Sequence, residues 1–598
     1  MFCYGVIFVN KKILCLILMV CVAAAVALSG CTAQTQDTVT ADNSHGKVIE
    51  KSVPFDPNTA SISSKTVTLY PYTTQNSENT TLYFVNGGEI PYVSLEEYMV
   101  FLEKIGNSST QGYSLTFKAD GDKASFVREN GYSADFDFQK NTIHFTDYNM
   151  FVKTPNGPLL DVTFIHDYVA SLFQKDEERS YERYGEEITI PLSDYGIRML
   201  HKDGGYYIPL QTFNDIFVAP KFTSLVYNGE VVIITGSFTE GDELSEVYYS
   251  VPKSERSKEA AEFDYNELCL ALDHYYGLKE VHRIKNFDAI FRECGYDHYL
   301  KGTNQTLADV ALYQFIISQL DDLHSGFKSV SFRTDKDEYD KEISGMLHGY
   351  SDRSLRNEAG VLAKARAKYY PGGVPHYEEV GNTAYITFDS FENTPCDDYY
   401  SAPKADELDN TIRLMQYAYD QITRKGSPIE NVVMDLSINT GGVIYDAVYV
   451  TGLFLEEGQI SAADELTGAL TSAHYRVDIN RDHLFDEKDT LAGKGYNLYC
   501  LESPVSFSCG NLVPNVFKDT THVTLIGQTS GGGSCAVQPL STSSGTLFQV
   551  SGNMRMSFIK NGAFYDIDRG AEPDIYIRDL SVLYDRKKLT DYINNKII

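Results

Sequence analysis

Apolar runs without alternation mark the C-terminal third of the chain. Val432-Val433-Met434-Asp435-Leu436 reads as a strand buried on both faces. The turn Ser437-Ile438-Asn439-Thr440-Gly441-Gly442 follows it, and a helix is predicted from Val443 to Leu455. The same order recurs downstream. An apolar run from Tyr496 to Glu502 predicts a strand, Val505-Ser506-Phe507-Ser508-Cys509-Gly510-Asn511 a turn, and Leu512 to Lys518 a helix. Thr383 to Phe388 is strand-like, Thr411 to Ile422 helix-like, and a strand at 523–527 precedes Gly531-Gly532-Gly533. Strands alternating with helices argue for an α/β core.

Upstream the pattern changes. Residues 255 to about 323 read as helical, with Ala260, Phe263, Leu268, Leu270 and Leu272 in one stretch and Val310 to Leu320 in another. They end in Leu320-Asp321-Asp322-Leu323-His324-Ser325-Gly326-Phe327, and 328–375 is charged and partly helical. Residues 66–250 are mixed α and β. Gly88 to Tyr98 is echoed by Gly205 to Phe213, each predicting a short strand, a cap and a helix. Each is followed by alternating apolar residues around an Asn-centred turn, Phe136 to Phe145 and Ser224 to Ile234. Two diverged copies in tandem suit a spacer or binding platform. They resemble the N-terminal domain of copper amine oxidases, without implying copper chemistry. Residues 32–65, rich in Thr, Ser, Asn, Asp and Gln, predict a flexible tether.

At the N-terminus, Lys11-Lys12 precede the apolar run Ile13 to Leu28 and then Leu28-Ser29-Gly30-Cys31. That is the layout of a signal peptide, too short for a membrane span. The last four residues resemble the lipobox of bacterial lipoproteins, which implies that Cys31 becomes a lipidated first residue at the extracytoplasmic face of the membrane.

Composition narrows the partners. A chain of 598 residues exceeds one core and predicts about three units. Its net charge of −31 argues against nucleic acid and against an anionic membrane surface as main partner. Beyond residue 31 the cysteines are Cys269, Cys294, Cys396, Cys500, Cys509 and Cys535, with no paired spacing for zinc or a disulfide framework. Asp478, Asn480, Asp482, Asp486 and Asp489 place oxygens at positions 1, 3, 5, 9 and 12 of a calcium loop. His483 stands where such a loop wants glycine, and a solvated acidic turn fits as well. A structural calcium is possible on this reading, and no cofactor is required for catalysis.

Two roles compete for Ser508. Serine caps helices readily, yet a serine at a strand-to-helix turn also faces free N–H groups able to stabilise an anion. His324, in a polar turn after a helix, is a candidate general base. Gly441-Gly442 can present backbone N–H groups to an anion, and it lacks the Lys-Ser/Thr of a P-loop.

Taken in order, these blocks resemble peptidase family S41, the C-terminal processing proteases and the tricorn core protease. Leu320–Phe327 is similar to its L-x-D-x-H-[ST]-G block and Ala384–Phe391 to its gYI-x-i-x-x-F strand. Asp435–Gly442 resembles D-L-R-x-N-x-G-G, Ser508–Asn511 stands where the family has S-A-S-E, Gly527–Gly533 resembles its Thr-Gly turn, and Gly570–Ile575 resembles G-V-x-P-D-I. The resemblance covers about residues 255–598. It implies a crotonase/ClpP-like ββα catalytic core at 376–598, and a helical subdomain at 255–375 carrying His324. Only about 50 residues separate His324 from the next strand, so no PDZ domain is expected. The processing proteases' lysine is replaced by Gly532, which moves the base to His324, as in the tricorn-like branch. The acid then falls on Asp568 or Asp566, with Asp568 favoured. The oxyanion donors implied are the N–H of Cys509 and of Gly441 or Gly442. Ser437 for the usual Arg and Asn511 for the usual acid leave room for an inactive member.

The leading expectation is a lipid-anchored extracytoplasmic serine endopeptidase acting on peptide or protein substrates. The alternatives are an inactive peptide-binding or sensing lipoprotein, and an adhesion or wall-binding protein acting through residues 66–250. The sequence leaves the oligomeric state open.

Overall fold

A computed structural model describes residues 59–102, 115–153, 165–239, 241–320, 322–350 and 355–595. The leader, Cys31 and most of the expected tether lie outside the described residues. The strand Ile62–Pro71 begins inside the stretch read as tether and pairs along its length with Glu78–Val85. The expected tether boundary at 65 is therefore too late.

Strand Asn431–Asp435 lies inside a six-stranded sheet, ordered Tyr377–Val380, Thr383–Thr387, Asn431–Asp435, Asn497–Glu502, Val523–Gly527, Ile575–Tyr576. The last five are parallel, and Tyr377–Val380 adds antiparallel at one edge. Every residue of Thr383–Thr387 and Asn431–Asp435 is buried, which is why neither alternates in polarity. Helices Thr411–Thr423, Ile444–Leu455 and Cys509–Thr520 cover the sheet, with Ile386, Met434, Leu453, Val513, Phe517 and Leu525 in one core. Parallel βα units carry their turns to the carboxyl ends of the strands, where open sheets bind ligands. Because Asn431–Asp435 and Asn497–Glu502 are neighbours, the Gly441-Gly442 turn and the Ser508 turn emerge side by side.

Asp435 closes its strand inside this core. Arg586, from the C-terminal helix Arg586–Asn595, reaches it with Nη2 2.5 Å from Oδ2, both side chains almost fully buried. Burial pushes the Asp435 carboxyl up, but Arg586 and Ser437 outweigh it and hold the carboxyl below its usual value. The pair therefore stabilises the fold above the ordinary aspartate pKa, and that contribution is lost as pH falls through the native value. Arg586→Met strands a buried charge and is expected to cost about 3–5 kcal/mol, read as a drop in the urea midpoint at pH 7.

A second sheet runs Gly326–Ser329, Leu547–Ser557, Gly458–Asp464, Leu470–Val477, Phe173–Lys175. Cys535–Ser541 pairs with Leu547–Ser557, and Tyr181–Arg183 with Leu470–Val477. Two of these strands come from the region read as a spacer. Leu82, Phe145, Leu268, Phe315, Leu540 and Val550 also share one core, so residues 66–250 do not close on themselves. The two echoed segments form strands Pro91–Ser94 and Gly205–Pro209, each leading into a helix, and the strands pair antiparallel with Val93 opposite Ile208. The expected hairpins are Ser133–Asp137 with Thr142–Phe145 and Ser224–Tyr227 with Val232–Thr235. Between Ser329 and Tyr377 lie helices Lys336–Tyr350 and Leu355–Tyr369. Among the described residues no helix is long and apolar enough to cross a membrane.

Candidate active site

Ser508 stands at the N-terminus of helix Cys509–Thr520 with φ 56° and ψ −122°. For a residue with a Cβ this backbone is sparsely populated, and such strain costs on the order of 1–3 kcal/mol. Neighbouring backbone fixes it: Ser508 N–H donates to the Gly532 carbonyl (3.0 Å), and its carbonyl accepts from Asn511 and Leu512 N–H (2.9 and 2.8 Å). Its side chain makes no capping hydrogen bond. The cap role weighed for this serine is thus not the one it plays. It stands at a sharp strand-to-helix turn, the placement that serine nucleophiles require.

Against it lies the glycine turn. Gly441 and Gly442 have φ of +107° and +136°. A Cβ on Gly441 would lie 2.6 Å from Ser508 Cβ and 3.0 Å from its Oγ. Asn439 builds this turn. Its Oδ1 accepts from Gly441 N–H (2.9 Å), its Nδ2 donates to the Phe388 carbonyl (3.1 Å), and its carbonyl accepts from Phe507 N–H (3.0 Å). This corrects one expectation: the Gly441 N–H is taken by Asn439 and is not an oxyanion donor. The N–H groups of Gly442 and of Cys509, the first residue of the helix, carry no hydrogen bond among the described residues. They form the donor pair the site offers. The Cys509 thiol lies with Sγ 3.3 Å from the Gly442 carbonyl, and burial pushes it up to about 12, which keeps it protonated.

His324 approaches from the other sheet. Its ring packs edge-on against Phe507, centroids 4.7 Å apart, one residue before the serine. Its carbonyl accepts from Gln549 Nε2 at 2.7 Å. Burial lowers the imidazole below its ordinary value, and the nearby carboxylates of Asp322 and Asp568 offset this in part. A neutral imidazole is the form a general base needs. Among the described residues Nδ1, which is buried, has no hydrogen-bond partner, and no hydrogen bond joins the ring to Ser508.

The two candidate acids share a single arginine. Asp568 Oδ1 accepts from the N–H of Ser534 (2.8 Å) and Gly533 (3.2 Å), and Oδ2 from Ser534 Oγ (2.6 Å) and Arg555 Nη2 (2.7 Å). Asp566 accepts from the same Nη2 at 2.5 Å and is far more exposed, 43% against 7% for Asp568. A Cβ on Gly532 would meet the Asp568 carbonyl at 2.4 Å, so the turn that lacks the lysine is packed directly on the favoured acid. Sequence reasoning missed Arg555, Ser534 and the whole strand Leu547–Ser557. No motif marks them: the strand meets the His324 loop by pairing across about 220 residues of chain, and Arg555 and Ser534 meet Asp568 only through the fold.

The expected calcium loop is also corrected. Asp478 accepts from Arg481 and His483 N–H, Asn480 from Asp482 N–H, and Asp482 from Leu484 N–H. Asp486 takes Lys488, and Asp489 takes Ile479, Asn480 and Asp486 N–H. These oxygens cap their own turns rather than face a common centre. Among the described residues no group of three or more His, Cys, Asp or Glu could hold a metal. The six cysteines from Cys269 to Cys535 are free thiols.

Three solved structures are similar to the chain. A photosystem II D1 C-terminal processing protease shares 20% identity over 33% of this chain and 42% of that chain, TM-score 0.24. Mature CPAF shares 12% over 57% and 99%, TM-score 0.38. The tricorn protease shares 10% over 84% and 46%, TM-score 0.30. The chain thus spans less than half the length of the processing protease it matches. No curated protein matches it. Residues 382–577 match the family model Peptidase family S41. That segment holds Gly441, Gly442, Ser508, Asp566 and Asp568, while His324 lies before it. With its parallel sheet, its glycine turn and its serine turn, this part of the chain is a domain of peptidase family S41.

Proposed function

We propose that the chain is a serine endopeptidase in which Ser508 attacks the scissile carbonyl. His324 takes the serine proton and returns it to the leaving amine, and Asp568 supplies the negative charge that stabilises the imidazolium. The N–H groups of Gly442 and Cys509 receive the oxyanion. The observation that carries this reading is the Ser508 backbone: a strained, half-buried serine whose side chain makes no capping hydrogen bond, laid against a glycine turn whose Gly441 N–H is taken by Asn439. Catalytic hydrogen bonds commonly tighten only when substrate binds. The Leu28-Ser29-Gly30-Cys31 sequence supports a lipid anchor through Cys31 and an extracytoplasmic location, with peptides or proteins as substrates.

One observation favours a peptide-binding protein without turnover. The Asp568 oxygens are all engaged by Ser534, Gly533 and Arg555, and among the described residues His324 Nδ1 has no partner. Hydrolysis of a fluorogenic peptide library by the purified ectodomain separates the two readings. The pH profile gives a second handle. Because burial lowers the His324 pKa, kcat/KM is expected to rise with pH to a plateau, with its acid limb below the ordinary imidazole value of about 6.5. An acid limb at or above that value, or no Ser508-dependent hydrolysis, contradicts the proposal.

A further inference from the structure

Strand Leu547–Ser557 touches both halves of the candidate relay. At one end, Gln549 Nε2 donates to the His324 carbonyl, and Ser551 Oγ donates to Asp322 Oδ1 at 2.7 Å. At the other end, Arg555 holds Asp568. The guanidinium is 10% exposed and engaged at all three nitrogens: Nε on Ser534 Oγ (3.0 Å), Nη1 on Glu465 Oε1 (3.3 Å), and Nη2 on Asp566 (2.5 Å) and Asp568 (2.7 Å). Ser534 passes the same hold on, since its Oγ accepts from Arg555 and donates to Asp568.

A fork spread over three carboxylates and a hydroxyl is more than one ion pair requires. We propose that Arg555 is the positioning residue of the site: its guanidinium holds Asp568 beside His324 and cancels most of the charge that Asp568 directs at the imidazole. This rests on the reading of His324 as base. Without the arginine, the Asp568 carboxylate acts on the ring uncompensated, and the imidazole gains a proton more readily. A base that is already protonated near neutrality cannot accept the serine proton.

The groups facing His324 can be named. Asp322 stands in its own loop, held by Ser325 N–H and Oγ, by Ser551 Oγ and by the Tyr276 hydroxyl. Asp568 faces it from the turn before Gly570. Cys535, on the strand paired with Leu547–Ser557, lies near both carboxylates, and burial keeps its thiol protonated. Phe507 supplies the apolar contact. Of these, Arg555 directly touches only the Asp568 side, so its removal acts on His324 through that aspartate.

The test is the titration of His324 followed by NMR of the histidine ring protons in the full ectodomain, with His324→Gln assigning the signal. It needs no turnover, so it stands whether or not the peptidase reading survives. Arg555→Met is expected to raise the His324 midpoint by about one pH unit, and Arg555→Lys, which keeps the charge, to restore most of the difference. Glu465→Gln removes a partly exposed acid from the arginine and leaves the packing in place. It is expected to move the midpoint down by a smaller amount, and it serves if Arg555→Met does not fold. In an active enzyme the acid limb of kcat/KM follows the same order. A His324 midpoint that stays put in the arginine and glutamate variants, or falls in Arg555→Met, overturns the proposal.

Discussion

Ser508→Ala is expected to lower kcat for peptide hydrolysis by about a million-fold, and His324→Ala by about as much. The double variant should lose no more than either single one. The physical reason is that the two side chains perform one event. The hydroxyl is a poor nucleophile until a base removes its proton, and the imidazole does nothing for the reaction without that proton to take. The turn around them makes the comparison clean. Ser508 contributes no side-chain cap to its helix, so alanine removes reactivity and leaves the backbone contacts to Gly532, Asn511 and Leu512 in place. Steady-state kinetics on the three variants decides the matter. Losses that multiply in the double variant would show that serine and histidine act separately.

Gly441→Ala should be nearly as damaging, although Gly441 takes no part in proton transfer. Its Cα faces the serine. A methyl there would sit 2.6 Å from Ser508 Cβ and 3.0 Å from both Ser508 Oγ and the Phe507 carbonyl, at a φ of +107° that alanine avoids. Neither the strained serine turn nor the Asn439-built loop can yield without displacing the other. A displacement of about 1 Å in such a site costs roughly 100-fold, and the Gly442 N–H would move with the turn, removing an oxyanion donor at a similar cost. We expect kcat/KM to fall by about 100- to 1,000-fold, with the circular dichroism spectrum retained. An alanine variant within a few-fold of wild type would mean that the glycine turn does not frame the reaction.

The α/β core was legible because each of its elements announces itself locally. Strand Asn431–Asp435 is buried on both faces, with the apolar run Val432-Val433-Met434 between its ends. The glycine turns need positive φ, and the helices begin where those turns end. Ser508 could be located but not understood from sequence, since the same residue at the same place serves as a cap in many helices. Its φ of 56° and its missing cap bond exclude the side-chain cap. His324 was readable only as one member of an ordered set of blocks, because its approach to Phe507 depends on Gly326–Ser329 pairing with Leu547–Ser557. The preference for Asp568 over Asp566 rested on the resemblance alone. They lie two residues apart and are bound by one arginine, and burial and the Ser534 and Gly533 donors set Asp568 apart. The acidic loop misled because the spacing of Asp478, Asn480, Asp482, Asp486 and Asp489 suits both a calcium loop and a run of self-capping turns, and backbone N–H groups claimed the oxygens. The N-terminal region misled for another reason. Its echoed segments were visible, but nothing local shows that Phe173–Lys175 and Tyr181–Arg183 leave it to extend the second sheet.

The central claim is that Ser508 is a nucleophile activated by His324. Its most direct measurement is the mass of the purified protein after treatment with a fluorophosphonate, with the modified residue located by tandem mass spectrometry. One adduct on Ser508 in the wild-type protein, lost in His324→Gln, is the result predicted here. An unmodified Ser508, or an adduct that forms equally well without His324, would contradict it.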